Sequence, residues 1–457
     1  MREAPHFAAL TLAAIIIVAA LPLTAQEPFD YFRNSWSVIG LKDYERGTRI
    51  TPDNQLLLAG KDRVSIAVGN PPTPLSRRQT KTLLEGWLPV VLVTTSTDNV
   101  RYEFLFWATP LPTAADWTRA FAWPTDGENY LNWVAVKATN AGARKAAAKI
   151  QLKRWTAKED YVKVAESPPE NPEDILKRQT FVQEFSWTLK PGEVKEGQIN
   201  FPFFPVKGSE GFLKEDSKIW LKRTVDFWKS LMAQAAHLSV PCRKATEAFM
   251  ASQVCQLLAL DRGEIHAGEG FYDVFYIRDG AYTTMNDLCR GLDEQVVEDF
   301  YWYLLHSTAA QAFPEGVYYQ ERTAWGETIP HATGASNYAL LLRHMLVHEA
   351  GNELHLLPAV PDWWLGEGEE IRIERAPTHF GVMSLVVRGT ASGVRVEFTP
   401  PQRERPKKII LHLPQSRPFE GTLKGIKIVC RPVQKKRWDF ETVVRLYKEK
   451  APPLLKK

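Results

Sequence analysis

Several signatures that would settle the function of a 457-residue chain are missing. There is no GxSxG, no P-loop, no GxGxxG after a strand and no HExxH, so serine hydrolase, nucleotide-binding and zincin chemistries lack their starting residues. Cysteine is scarce: Cys242, Cys255, Cys289 and Cys430 lie far apart with no CxxC, which removes a zinc ribbon and a disulfide framework. Two states remain open for these thiols, a Cys255–Cys289 bridge between neighbouring helices or free buried sulfhydryls. The scattered histidines and carboxylates show no ligand spacing on one element, so no metal is expected, and no cofactor. Charge of either sign is in little excess. With 57 Lys plus Arg against 53 Asp plus Glu, the net charge is +4 and no basic stretch carries interleaved aromatics, which excludes nucleic acid as the expected partner.

Long apolar runs are also rare. Only the first 26 residues, MREAPHFAALTLAAIIIVAALPLTAQ, hold one, uncharged from Phe7 to Ala25 and ending in small residues. That pattern predicts a signal peptide and export to a periplasmic or extracellular location. An uncleaved anchor of marginal length is the other reading, and the only route by which a membrane enters the expectation.

What the chain does have is tryptophan, 15 residues of it, of the kind that packs cores or stacks on sugar rings. From residue 27 to 210, segments such as GWLPVVLVTTSTDNVRYEFLFWATPL mix β-branched and aromatic residues between Gly, Pro and Asn-Asp turns, which predicts an antiparallel sandwich. Within it ESPPENPEDILKRQ reads as a surface excursion. After Gly211 the period changes. Ile219, Trp220, Val225, Phe227, Trp228, Leu231 and Met232 recur at helical steps, so residues 211–238 read as a helical linker. Residues 239–352 read as a helical block, with a helix opening near Pro241, another capped by Asp293, and a last one carrying Tyr338, Leu341, Leu342, Met345 and Leu346 and stopping near Gly351. Short alternating strands then predict a small β-domain over 353–435, followed by a tail, 436–457, whose last ten residues, KEKAPPLLKK, are expected to be frayed and solvated.

Between Phe271 and Pro330 polar residues gather among aromatics: Asp273, Arg278, Asp279, Tyr282, Glu315, Glu321, Trp325, Glu327 and His331. Paired carboxylates in aromatic surroundings suit glycoside cleavage, where one carboxyl protonates the leaving oxygen and the other activates water or attacks the sugar. The stretches YIRDGAY and AFPEGV, followed by the long run from PHATGASNYALLL to SLVVRG, resemble the six-hairpin glycosidases, and among them bacterial glucoamylases and inverting disaccharide phosphorylases. The resemblance spans Ser239 to Gly389 by motif.

This resemblance implies a glycoside hydrolase-like protein of carbohydrate metabolism that acts on or binds oligosaccharides. Arg278 and Asp279 would grip sugar hydroxyls, walled by Tyr276, Tyr282 and Trp325, and Glu315 would be the general base of an inverting hydrolysis. A non-catalytic carbohydrate-binding or degenerate envelope protein is the alternative. The fold it implies is β plus α in several domains, with an (α/α)6-type barrel between the sandwich and the small β-domain. Such a barrel needs on the order of 350 residues at common helix and connection lengths, whereas Ser239 to Gly351 is 113 residues. The block is therefore expected to be incomplete, with no positional match for the general acid. Its apolar faces must then be covered, either by a homo-oligomeric partner or by packing hard against the sandwich.

Overall fold

A computed structural model describes residues 36–75, 80–158, 172–268, 274–308, 310–318, 323–325, 329–421, 424–434 and 439–450. The apolar N-terminal segment, the first six residues of the ESPPENPEDILKRQ stretch, and Asp273, Glu321 and Glu327 lie outside them. The chain is a mixed β and α protein. Two large antiparallel sheets come first. One is ordered Ser37–Ile39, Thr48–Ile50, Leu56–Leu57, Asp62–Val68, Ala146–Thr156, Gln179–Leu189, with Thr73–Pro74 beside Asp62–Val68. The other is ordered Val194–Pro202, Tyr130–Asn140, Val100–Pro110, Val91–Thr97, Thr80–Leu83. They face each other across a shared core in which Ile50, Val64, Ile66 and Leu152 meet Val93, Phe104, Phe106 and Val134.

Strand alternation gives the second sheet a second buried face. Phe106 and Val134 enter the core between the sheets, while their neighbours Trp107 and Trp133 point the opposite way. Trp107 and Trp133 are a cross-strand pair, stacked with ring centroids 5.7 Å apart and planes 6° from parallel. Trp133 Nε1 donates to Thr109 Oγ1 at 2.9 Å, so this indole keeps a hydrogen bond after burial.

Eight helices are described: α1 (Trp117–Ala120), α2 (Pro172–Lys177), α3 (Ser217–Met232), α4 (Arg243–Leu258), α5 (Ile277–Arg290), α6 (Asp293–Leu305), α7 (Ala332–Leu346) and α8 (Phe440–Lys450). Asp216 caps α3 by accepting from the Lys218 N–H at 2.8 Å. This helix is no free linker. Trp220, Thr224, Trp228 and Met232, at i, i+4, i+8 and i+12, are buried against the tryptophan side of the second sheet, while Ile219, expected on that stripe, is exposed. Residues of α4 to α8 join the same core through Met250, Val254, Leu288, Val296, Trp302, Leu341 and Val443. The second sheet therefore covers the helical faces that the short block leaves open.

Several sequence expectations are corrected. Cys242, Cys255, Cys289 and Cys430 are all exposed and none forms a disulfide, so neither the bridge nor the buried thiols are found. Asp293 is the first residue of α6 and not its cap; Leu292 occupies that position with no side-chain cap bond. The last helix of the block ends at Leu346, because Val347–Ala350 turns back through Gly351 to pair with Glu353–Leu356. Gly351, at φ 60°, marks this hairpin turn and not a helix stop. Further on, Glu353–Leu356, Lys408–Pro414 and Ile426–Arg431 pair in parallel, and a three-stranded antiparallel sheet, Glu370–Thr378, Gly381–Gly389 and Val394–Thr399, shares their core. The tail opens with a helix that the sequence reading did not foresee. In α8, Val443 and Leu446 are buried in the helical core.

A buried polar network ties α5 to α6. The Thr284 hydroxyl donates to Asp299 Oδ2 at 2.9 Å, and Gln295 Nε2 donates to Asp299 Oδ1 at 2.6 Å. Burial holds the Asp299 carboxyl well above its usual range, and the charge of Asp287 adds to it. Burial likewise pushes Asp287 up to about 7 against the pull of Arg290 and Lys42, and Asp293 up to about 6 against that of Arg431. Gly280 permits this close crossing, since a Cβ there would stand 2.6 Å from the Tyr303 hydroxyl.

Two outcomes are expected. Trp133→Ala removes an indole from a sheet buried on both sides, and chemical denaturation should show a loss of about 3–5 kcal/mol; a loss below about 1 kcal/mol would mean the site collapses around the cavity. Folded Asp287 and Asp293 hold protons more tightly than in the unfolded chain, so their stabilisation is complete below about pH 3.8 and disappears as pH rises through about 6 to 7. Asp287→Asn should therefore flatten the fall in unfolding free energy between pH 4 and 7. His412, lowered by burial to about 4, contributes the opposite slope in both proteins and cancels in the comparison. Superimposable pH profiles would refute the assignment to Asp287.

Candidate functional site

The six site residues expected from sequence lie on three segments that strand pairing brings side by side. Phe275–Tyr276, a two-residue strand, runs straight into α5, so that Arg278 and Asp279 occupy its first turn. Gly316–Tyr318 pairs with it in register Phe275↔Val317 and Tyr276↔Gly316. One step beyond that ladder, the Ile277 N–H donates to the carbonyl of Glu315 at 3.1 Å. This bond sets Glu315 beside the start of α5, although 36 residues separate it from Asp279 in the chain.

The third support comes from α7. His331 Nδ1 accepts from the Gly334 N–H at 3.1 Å, and the His331 N–H donates to the Phe313 carbonyl at 2.8 Å, which ties the start of α7 to the segment before Glu315. A Cβ on Gly334 would stand 3.0 Å from the Pro314 carbonyl oxygen. Behind them the Phe313 ring stacks on Tyr338 at 4.7 Å. Glu315 is thus carried on a short bend held by two helix starts and one strand pairing.

Arg278 is the electrostatic centre of the group. Its Nε lies 3.4 Å from Asp279 Oδ1, and its guanidinium is held above its ordinary pKa first by Asp279, then by the charges of Glu315 and Tyr282. Arg278, Asp279, Glu315 and Tyr282 therefore share one locality. The side chains of Arg278 and Asp279 are 47% and 41% exposed, and Glu315 is half-buried. Tyr276 is buried and packs on Trp325 at 5.0 Å; Trp325 is half-buried, and the Tyr318 ring lies 5.9 Å from it. The Trp325 N–H donates to the Gly316 carbonyl at 2.8 Å, which fixes this aromatic wall to the strand that follows Glu315. Tyr282, 56% exposed one turn along α5, stands at the outer edge.

Such an arrangement offers a planar cationic donor, two carboxylate acceptors and an aromatic face, the set that recognises a polyhydroxylated ring. Its openness also suits a plain ion pair at a helix start, where Asp279 complements the helix dipole. A general acid is harder to find. Asp287, at about 7, has the pKa such a group needs, but its side chain is sealed between α5 and α6 and no substrate oxygen reaches it. Tyr318 completes the aromatic wall and has no sequence signal of its own; its place follows from its strand pairing with Thr323–Ala324.

No family model matches the chain, and no curated protein matches it. Among solved structures, one provisionally described as a kojibiose phosphorylase from human microbiome matches 69% of this chain and 50% of its own length, at 12% identity and a TM-score of 0.33. This chain thus spans half the length of that protein, and a likeness at such a TM-score carries no inference about activity.

Proposed function

We propose that the chain is a carbohydrate-active protein of the glycoside hydrolase type, binding an oligosaccharide or glycoside at the start of α5. The observation that carries this reading is the gathering of Arg278, Asp279 and Glu315 across 36 residues beside the Tyr276–Trp325 wall. In this reading the Arg278 fork donates to vicinal sugar hydroxyls while Asp279 accepts from one, a geometry that a fixed guanidinium beside a carboxylate supplies well. Glu315 polarises a water for attack at the anomeric carbon with inversion. The attacked bond breaks toward the leaving oxygen, which takes a proton from a second carboxyl in inverting cleavage. The short helices α4 to α7 are read as a reduced (α/α)6-type block closed by the second sheet, and the N-terminal apolar segment as an export signal.

A second reading is favoured by a specific observation, the exposure of Arg278 and Asp279 beside a site with no assigned acid. It is a non-catalytic glycan-binding protein that uses the same residues.

The two readings part in one experiment on the full chain. Turnover of aryl glucosides and oligosaccharides is measured beside calorimetric titration with the same sugars. The hydrolase reading expects turnover that falls by at least about a thousandfold in Glu315→Gln with sugar binding retained, the size of loss that goes with a missing acid or base. Binding without turnover, abolished by Arg278→Ala, would favour the second reading. Neither binding nor turnover across the panel would overturn both.

A further inference from the structure

Away from the start of α5, a tight hairpin builds a different kind of site. Leu260–Asp261 pairs with Glu264–Ile265 across Arg262 and Gly263, whose φ values of 52° and 82° are those of a type I′ two-residue turn. The register places Asp261 directly opposite Glu264. Two carboxylates facing each other across a strand pair repel, and here both are buried, Glu264 with a side-chain exposure of 0%. A divalent cation placed between two carboxylates at this spacing would neutralise both.

Two imidazoles complete the set. His266 follows Glu264 by two residues and falls on the same face of the strand. His306 arrives from the C-terminal end of α6. Both aim Nε2 at the same atom, Glu264 Oε1, His306 from 3.1 Å and His266 from 3.8 Å. Ligand atoms of Asp261, Glu264 and His266 all lie within 4.8 Å of one another. Atoms bound to one zinc-like ion at about 2.0–2.2 Å stand roughly 3–4 Å apart, so small side-chain adjustments suffice. Arg262, the cation next in sequence, turns the other way, toward Glu128 and Glu449.

We propose that Asp261, Glu264, His266 and His306 bind a divalent first-row transition ion of the zinc and manganese type. Two imidazoles and two carboxylates match the ligand preferences of such ions and exclude the soft, thiolate-seeking ones. The DRGEIH sequence from Asp261 to His266 is the signal that the reading of scattered residues overlooks, because its spacing becomes a ligand set only once the chain reverses at Gly263. The role of the ion is structural. It fastens the hairpin to α6 beside the bond from Trp302 Nε1 to the Arg262 carbonyl at 3.0 Å, while the Gly263 N–H ties the same hairpin to Asp43 Oδ1, outside that helix, at 2.7 Å. Being enclosed, the ion enters as the chain folds, and its affinity is folding free energy.

The test uses the full chain, refolded in Zn²⁺, Mn²⁺ or Co²⁺ and dialysed. Metal content, melting temperature with and without chelator, and the visible spectrum of the Co²⁺ form are then read. One equivalent per chain is expected, with a higher melting temperature than the chelated protein and a four-coordinate cobalt spectrum. Glu264→Gln and His266→Ala should each cut retained metal at least about tenfold. His306→Gln, a milder change, should alter the cobalt spectrum even where the other variants fold poorly. A separate row of histidines, His344, His348, His355 and His412, is the competing sink, with paired ring nitrogens 3.1 Å and 2.8 Å apart. Metal lost in His355→Ala and kept in Glu264→Gln would overturn the proposal. So would a wild-type chain that retains none of the three ions and melts identically in chelator.

Discussion

Burial of the second sheet on both faces is the constraint on which the rest of the molecule depends. Most antiparallel sheets place one face on a core and the other in water. Here the stacked Trp107–Trp133 pair turns what would be the wet face into the floor of the helical core, with Trp228 of α3 pressed upon it. The helical block from α4 to α7 places its apolar faces in this same core. It is stabilised by borrowing a wall from the sheet, and α8 closes the far side through Val443 and Leu446. The wealth of tryptophan follows from this arrangement more than from sugar contact, since Trp107, Trp133, Trp228 and Trp302 are among the most deeply buried side chains.

That shared core explains how a weakly enclosed site stays ordered. Phe275 and Ile277, which flank Tyr276, are fully buried and anchor the start of α5. Gly280, pressed on the Tyr303 hydroxyl, fixes its distance from α6. Arg278 and Asp279 then project from a rigid base while remaining reachable by solvent. The site is open at Arg278, Asp279 and Tyr282, whose side chains all reach the surface.

Much of the architecture was legible in the sequence because periodicity reports which face of an element is buried. Alternation in NYLNWVAVKATN and the four-residue steps of Trp220, Trp228 and Met232 foretell a strand and a helix with little ambiguity. The failures have physical causes. Gly351 reads as a helix stop from composition alone, but a strand pairing formed from residues four places earlier ends the helix first. Val443 and Leu446 sit in a charged tail, and only a neighbouring helix offers the surface that makes burying them favourable. The Cys255 thiol, expected to be bridged or buried, is exposed, because α4 turns Val254 and Leu258 into the core instead.

For the candidate site, the sequence by itself determined the residue types: a guanidinium and a carboxylate adjacent in the chain, a glutamate after proline, and aromatics between them. Tertiary structure decided which of these meet. The bond from the Ile277 N–H to the Glu315 carbonyl brings the glutamate to the arginine, and it depends on a strand pairing between segments far apart in the chain. The same holds for Asp261, Glu264, His266 and His306. Three of them stand within six residues, but a turn of defined handedness sets the first two face to face, and the fourth arrives on a helix some forty residues on. Local pattern determines what a segment buries, and long-range pairing, which no window of sequence contains, decides which polar groups share the space that remains.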